Sequence, residues 1–255
     1  MTGRRGRTGP LESLALLTVI PVPRNAATGT RGVLPWAPLV GLLLGGAAAG
    51  IGVLGARLVS PTAGAVLAVA ALAVLTRGLH LDGLADTADG LGPLRARERA
   101  LQVMRSGDVG PFGVAALVLT LLLQVACLAT LLPQVWEVPW TAVVASRLAL
   151  TATGLPGVPV AEGSSLGRAV VGTVGRPWFA GCCVATGALA AAAGWLAAGP
   201  GGAWRLPVAA AAGVLAADLL RRRATARLGG ITGDVMGAAA EAATTVALLV
   251  AAALF

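Results

Sequence analysis

The chain has no lysine, a single histidine and three cysteines, and only 12% of its residues are charged. A soluble domain carries about 25% charged residues, and half that density cannot cover a water-facing surface of this size. Hydrophobic residues make up 56% of the chain, mean hydropathy is +0.83, and the apolar residues come in long runs, as lipid-facing segments do. The net charge of +8 rests on arginine alone. The arginines sit mostly at the ends of apolar runs, not on a basic helix interleaved with aromatics. That placement sets membrane topology and speaks against a nucleic-acid partner. Cys127, Cys182 and Cys183 all lie inside apolar runs. They lack zinc-ligand spacing and a second Cys/His pair, so they read as small buried hydrophobes.

A bilayer core of about 30 Å needs about 20 helical residues. Charge-poor runs lie between Arg31 and Arg57, between Arg57 and Arg77, and at 111–136, 138–160, 177–198, 206–220 and 235–254. Arg147 interrupts the fourth and Glu241 lies within the last. A shorter run at 14–22 follows Arg4, Arg5 and Arg7. Pro21 and Pro23 close it without an A-x-A cleavage site, which predicts an interfacial or re-entrant helix and not a signal peptide. The expected fold is all-α: one polytopic integral membrane helical bundle over residues 1–255, with about seven transmembrane helices. With the amino terminus in the cytoplasm, alternating spans put Arg4, Arg5, Arg7, Arg24, Arg31, Arg77, Arg95, Arg97, Arg99, Arg105, Arg168, Arg176, Arg221, Arg222, Arg223 and Arg227 inside. Only Arg57 and Arg205 stay outside. This asymmetry predicts a multi-pass protein of the cell (inner or plasma) membrane with its catalytic segment facing the cytoplasm. Gly41/Gly45 and Gly46/Gly50 give a small-xxx-small spacing that permits close helix packing and leaves homo-oligomerisation open. Trp36, Trp136, Trp140, Trp178, Trp195 and Trp204 fall near span ends, as interfacial anchors do.

Acidic residues number only 11, yet Asp82, Asp86, Asp89 and Asp108 cluster in the segment 77–113. Offsets of 4 and 7 from Asp82 correspond to about 40° and −20° around an α-helix, so the first three carboxylates share a face. Like charges so placed repel and call for a cation. Mg²⁺ or Mn²⁺ shared with substrate phosphates is the natural one, and a pair of ions would suit in-line phosphoryl displacement. Asp108 is positioned to add a ligand, between Gly107 and Gly110. A solvated acidic loop neutralised by Arg95, Arg97, Arg99 and Arg105 is the alternative, but such loops are not this rich in glycine and apolar residues. Arg105, beside the Ser-Gly-Asp turn, is a candidate for anionic substrate oxygens. His80 is a candidate for proton transfer. A second polar segment, 221–241, carries Asp234 and Glu241 seven apart on one helix face. Gly233 and Thr232 stand at its start, where backbone N–H groups suit phosphate. Glu241 lies within a span and is a functional candidate, or the partner of Arg147.

The stretch Asp86-Thr-Ala-Asp89-Gly90 with Arg95 is similar to part of the CDP-alcohol phosphotransferase signature, without its continuation. The longer stretch from Gly78 through Leu91, GLHLDGLADTADGL, resembles the adenosylcobinamide-GDP ribazoletransferase (cobalamin synthase) family. So do Met104-Arg-Ser-Gly-Asp108-Val-Gly-Pro-Phe-Gly, Gly229-Gly-Ile-Thr-Gly-Asp234-Val-Met-Gly-Ala and the opening Leu17-Thr-Val-Ile-Pro-Val-Pro23. The resemblance implies a Mg²⁺-dependent membrane enzyme that joins adenosylcobinamide-GDP to α-ribazole or its 5′-phosphate and releases GMP. It implies metal-holding roles for Asp82, Asp86, Asp89 and Asp108, and metal or substrate binding by Asp234. The chain departs from the family pattern at Leu155-Pro156-Gly157, where an arginine usually follows the proline. A transporter using Asp234, Glu241 and Arg147 as an ion path would predict a pseudo-repeat between halves, and none is evident.

Overall fold

The computed structural model describes residues 9–23 and 25–255. Arg4, Arg5, Arg7 and Arg24, assigned to the cytoplasmic side above, lie outside the described residues. Among the described residues ten helices follow in order: α1 Gly9–Leu17, α2 Ala37–Leu58, α3 Pro61–Leu75, α4 Leu79–Leu91, α5 Arg97–Met104, α6 Pro111–Leu131, α7 Glu137–Thr153, α8 Ser165–Val170, α9 Arg176–Leu228 and α10 Gly233–Leu254. Among the described residues the only β pairing is an isolated bridge between Val160 and Ile231. The all-α membrane class holds, but the count of seven spans does not follow from helix length. Four helices (α2, α6, α9 and α10) are long and apolar enough to cross a bilayer, or five if α3 and α4 form one bent span. At 15 and 17 residues, α3 and α7 fall short of about 20. The fifth and sixth runs are the two halves of α9, which meet at a break where Ala198 and Gly199 leave helical geometry.

Each break has a local cause. Gly199 takes a left-handed φ of +59° and Pro200 follows, with no N–H to donate. Gly194 and Gly202 then meet backbone to backbone, so residues 200–228 run back along residues 176–197. Between α3 and α4, Arg77 and Gly78 are consecutive left-handed residues, at φ 55° and 68°, and the helices meet at 90°. Arg77 holds this unusual conformation while its Nη2 donates to the Leu16 carbonyl at 2.8 Å, tying the turn to α1. At 13 residues and a right angle to α3, α4 is too short to cross a bilayer by itself.

Small residues decide which helices approach closely. Gly41 of α2 packs on Val144 and Arg147 of α7, and Gly45 packs on Trp140. One glycine pair is therefore consumed within the chain, while Gly50 faces open space. Trp140 donates its indole N–H to the Leu42 carbonyl at 3.1 Å, which makes it a packing residue and not an interfacial anchor. Trp136, Trp195 and Trp204 are exposed. Two apolar cores result. One gathers Leu17, Leu34, Leu101, Met104, Val170 and Met236 at the α4 end. The other gathers Leu128, Leu132, Val138, Leu206 and Leu248 towards the opposite end. The three cysteines are free thiols, Cys127 being buried.

Candidate active site

The 4-and-7 spacing lands on a real helix. Along α4, Asp82 is exposed, Asp86 half-buried and Asp89 buried, at 4% exposure. The start of α10 is pressed against this helix because two glycines leave room. A methyl group at Gly83 would lie 2.6 Å from the Asp234 carbonyl oxygen, and one at Gly237 would lie 3.2 Å from the His80 Cα. The two polar segments, about 150 residues apart in sequence, thus become neighbours. Thr232 caps α10: its Oγ1 accepts the Val235 N–H at 3.2 Å and donates to Asp234 Oδ2 at 3.2 Å. That bond holds the Asp234 carboxylate at the helix start.

A third strip of chain completes the site. The Ala161 N–H donates to the Ile231 carbonyl at 3.1 Å and the Ile231 N–H to the Pro159 carbonyl at 2.9 Å. This docks residues 162–164 beside α10. Arg105, at the end of α5, reaches across and donates to the Glu162 carbonyl at 2.7 Å. Its guanidinium lies on Gly163, whose φ is +78° and where a Cβ would come within 2.6 Å of Nη2. The cavity between them measures about 280 Å³. Its lining combines polar residues, among them His80, Asp82, Arg105, Glu162, Thr232 and Asp234, with apolar ones, among them Leu34, Leu101, Met104, Leu166, Val170 and Met236.

The electrostatics are those of an uncompensated acidic site. Among the described residues no arginine forms an ion pair with Asp82, Asp86 or Asp234; the only such pairs are those of Asp218. Burial, and then the charges of Asp82, Asp234 and Asp89, push the Asp86 carboxyl up to about 6. Burial and the nearby Arg147 hold the His80 imidazole well below its ordinary value. Both shifts follow from desolvation reinforced by like charge.

Some expected site residues are not brought to the cavity. Asp89 Oδ2 accepts the Gly110 N–H at 2.7 Å and packs against Gly113, so this carboxylate caps the start of α6. Asp108 is exposed in the loop before α6 and does not line the cavity. Arg147 and Glu241 border a separate polar void of about 20 Å³ behind His80, room for about one water. Among the described residues Arg147 and Glu241, whose pairing was one of two readings of Glu241, form no ion pair. Gln124 Nε2 instead donates to Glu241 Oε2 at 2.9 Å and to Thr245 Oγ1 at 3.0 Å, while Arg147 Nη1 donates to Ser146 Oγ at 2.6 Å. Sequence reasoning missed Gln124, although an amide inside an apolar run is a signal in itself. It also missed Glu162 and Ser164, which lie in a polar gap between two apolar runs.

Among the described residues no three His, Cys, Asp or Glu side chains converge as a ready metal cage. The donor set nevertheless fits a hard cation, because it offers oxygen ligands without counter-charge. Mg²⁺ commonly takes one or two carboxylates and completes its shell with water and substrate phosphate. Asp82 and Asp234 border the cavity and meet that description, with Asp86 adjacent on α4. This is a smaller set than the four aspartates expected from the sequence.

Comparison with known proteins agrees with this architecture. The family model described as cobalamin-5-phosphate synthase matches residues 10–252. An adenosylcobinamide-GDP ribazoletransferase of Frankia casuarinae is 41% identical, over 93% of this chain and 92% of its own length. Proteins of the same name from a Nocardioides and a Roseiflexus species are 39% and 38% identical, each over 93% of this chain and over 93% and 86% of their own lengths. No solved structure matches the chain. Matched from end to end by the family model, and sharing its polar segments with a single cavity, this chain belongs to the cobalamin-5-phosphate synthase family.

Proposed function

We propose that the chain joins adenosylcobinamide-GDP to α-ribazole or its 5′-phosphate and releases GMP, and that it requires Mg²⁺ or Mn²⁺. The observation that carries this reading is the cavity where α4, α10 and the 162–164 strip meet, lined by both polar and apolar residues. Asp82 and Asp234 suit a cation-bound diphosphate, and the apolar lining suits an aromatic base. A ribose hydroxyl attacks the phosphorus that bears the cobinamide; one P–O bond forms, the bond to the GMP oxygen breaks, and GMP departs. Asp82 and Asp234 would hold the cation, with Asp86 nearby. When bound, the cation neutralises the diphosphate and the charge on the departing GMP. Arg105, anchored on Glu162, directs its remaining donors at anionic oxygen. A carboxylate of the α4–α10 pair takes the hydroxyl proton. His80 also lines the cavity, where burial and then Arg147 favour its neutral form. Positioning and charge neutralisation do most of the work in such reactions.

The arginine asymmetry supports a cytoplasmic site in the cell membrane, since Arg77, Arg95, Arg97, Arg105 and Arg227 all belong to the α4 end. The test uses the purified full chain in detergent with adenosylcobinamide-GDP, α-ribazole and Mg²⁺. GMP is expected, and chelation should stop its release. GMP release that persists in excess chelator would refute the cation requirement. CMP release from a CDP-alcohol donor would refute the substrate assignment.

A further inference from the structure

A second cavity lies away from the site, between the two halves of α9. The halves are clamped together at Gly194 and Gly202 and diverge from there, leaving a V-shaped crevice of about 590 Å³. Its walls are apolar, with Phe179, Pro207, Ala211, Val214 and Leu215, and α7 forms the floor through Ala149 and Ala152. Leu215 is 59% exposed, so the crevice opens sideways at the outer surface of the bundle. From Pro207 to Arg222 the wall extends about 22 Å at 1.5 Å per residue, somewhat more than the roughly 15 Å hydrocarbon depth of one leaflet.

The wide end of the crevice is charged. Asp218, Arg221 and Arg222 border it. Arg221 directs both Nε and Nη2 at Asp218 Oδ1, at 2.9 and 2.5 Å. Arg222 gives Asp218 only its Nε, at 2.6 Å, and its side chain is 71% exposed. One carboxylate thus serves two guanidiniums. The surplus positive charge and the Nη donors of Arg222 face outward where the apolar groove ends. This end adjoins Gly229 and the start of α10, so it lies at the catalytic end of the bundle.

We propose that this crevice is a binding site for one anionic phospholipid of the leaflet on the catalytic side. An acyl chain lies between the halves of α9, and the phosphate is held by Arg222. The site is independent of the catalytic cavity. It fastens the two halves of α9, which the bundle leaves apart there, and so braces the helix that leads into α10.

The test uses the full chain, purified in detergent, stripped of lipid and titrated with phosphatidylglycerol, phosphatidylcholine or inorganic phosphate. Native mass spectrometry and the thermal midpoint are read. Phosphatidylglycerol should be retained about fivefold over phosphatidylcholine, the preference expected of one interfacial arginine, and should raise the midpoint. Arg222→Gln should abolish the preference and Arg222→Lys restore it. Ala211→Trp should fill the groove and exclude both lipids. Both the Gln and the Trp variants should release GMP as wild type does in lipid-free detergent, which also shows that they fold. Equal retention of the two lipids, undiminished binding by Ala211→Trp, or a midpoint shift reproduced by inorganic phosphate alone would overturn the proposal.

Discussion

Two acidic neighbourhoods in this molecule are built on opposite plans. Asp218 on α9 is gripped by two arginines, at 2.5 and 2.6 Å. Asp82, Asp86 and Asp234, where α4 meets α10, have no such partner among the described residues, although arginine is plentiful at that end of the chain. A protein that has arginines at hand and leaves three carboxylates facing one another is not using them for stability, since their repulsion is unfavourable. The pairing of Asp218 is an ordinary structural solution; the unpaired set is what the proposed cation site would use.

The sharpest way to break this contrast is to neutralise one member of each set. Asp82→Asn should lower GMP release on the order of 10³-fold, the scale seen when a stabiliser of developing charge is removed, with the helical circular-dichroism signal unchanged. Wild-type turnover in that variant would remove the cation role of α4. Next in size is Gly83→Ala. The new methyl group would meet the Asp234 carbonyl at 2.6 Å, so α4 and α10 must part. A displacement of about 1 Å costs roughly 10² in rate when geometry governs catalysis. Steady-state kinetics should therefore show a fall in kcat larger than any loss of folded protein.

Asp89 stands between the two plans, on the acidic face of α4 but bonded to the Gly110 N–H. Its replacement separates a structural carboxylate from a cation ligand. Asp89→Ala should cost about 1–3 kcal/mol of stability, the penalty for an orphaned buried donor, and Asp89→Asn, which keeps an acceptor, should recover most of the fold and of the activity. If Asn is as inactive as Ala while equally folded, Asp89 belongs with Asp82.

Much of this was legible beforehand. The runs predicted helices, and the Asp spacing predicted a shared face, because both depend on local periodicity alone. The meeting of residues 80–86 with 232–237 was implied only by the family resemblance, since it depends on Gly83 and Gly237 being glycine at a crossing that no local pattern reveals. The capture of Asp89 by α6 was hidden for a similar reason: the Gly110 N–H is a donor whatever the side chain, and backbone donors leave no mark in a sequence. Of the two readings of Glu241, pairing with Arg147 rested on opposite charge alone, whereas Gln124 offers Glu241 a neutral partner at 2.9 Å. The separation of the fifth and sixth runs matches the break in α9 at Ala198 and Gly199, whereas the total of seven spans is not confirmed by helix length.

A gentler probe of the unpaired set is pH. Asp86 binds its proton more tightly in the fold, up to about 6, than the ordinary value of about 3.9. The contribution of this group is therefore fully present below about pH 4 and is lost as pH rises through about 6. In the proposed site a divalent cation would take the place of the proton. Millimolar Mg²⁺ should raise the thermal midpoint at about pH 7.5 and do little at about pH 4.5, where protons compete for the same oxygens. An equal shift at both values would place the cation elsewhere.

The smallest effect is expected at Asp218, and its sign is what matters. Its carboxylate is partly exposed, at 28% of the side chain, and its bonds to Arg221 and Arg222 span three and four residues of one helix. Pairs of this kind contribute about 0.3–0.5 kcal/mol, so Asp218→Asn should barely move the thermal midpoint and should leave GMP release untouched. Loss of the carboxylate also frees two guanidiniums at the mouth of the α9 crevice. Retention of phosphatidylglycerol should then rise, not fall, because the only negative charge competing with the lipid phosphate has gone. A variant that lost lipid on losing Asp218 would show that the arginines need the carboxylate to hold them in place, and the two neighbourhoods would differ less than their geometry suggests.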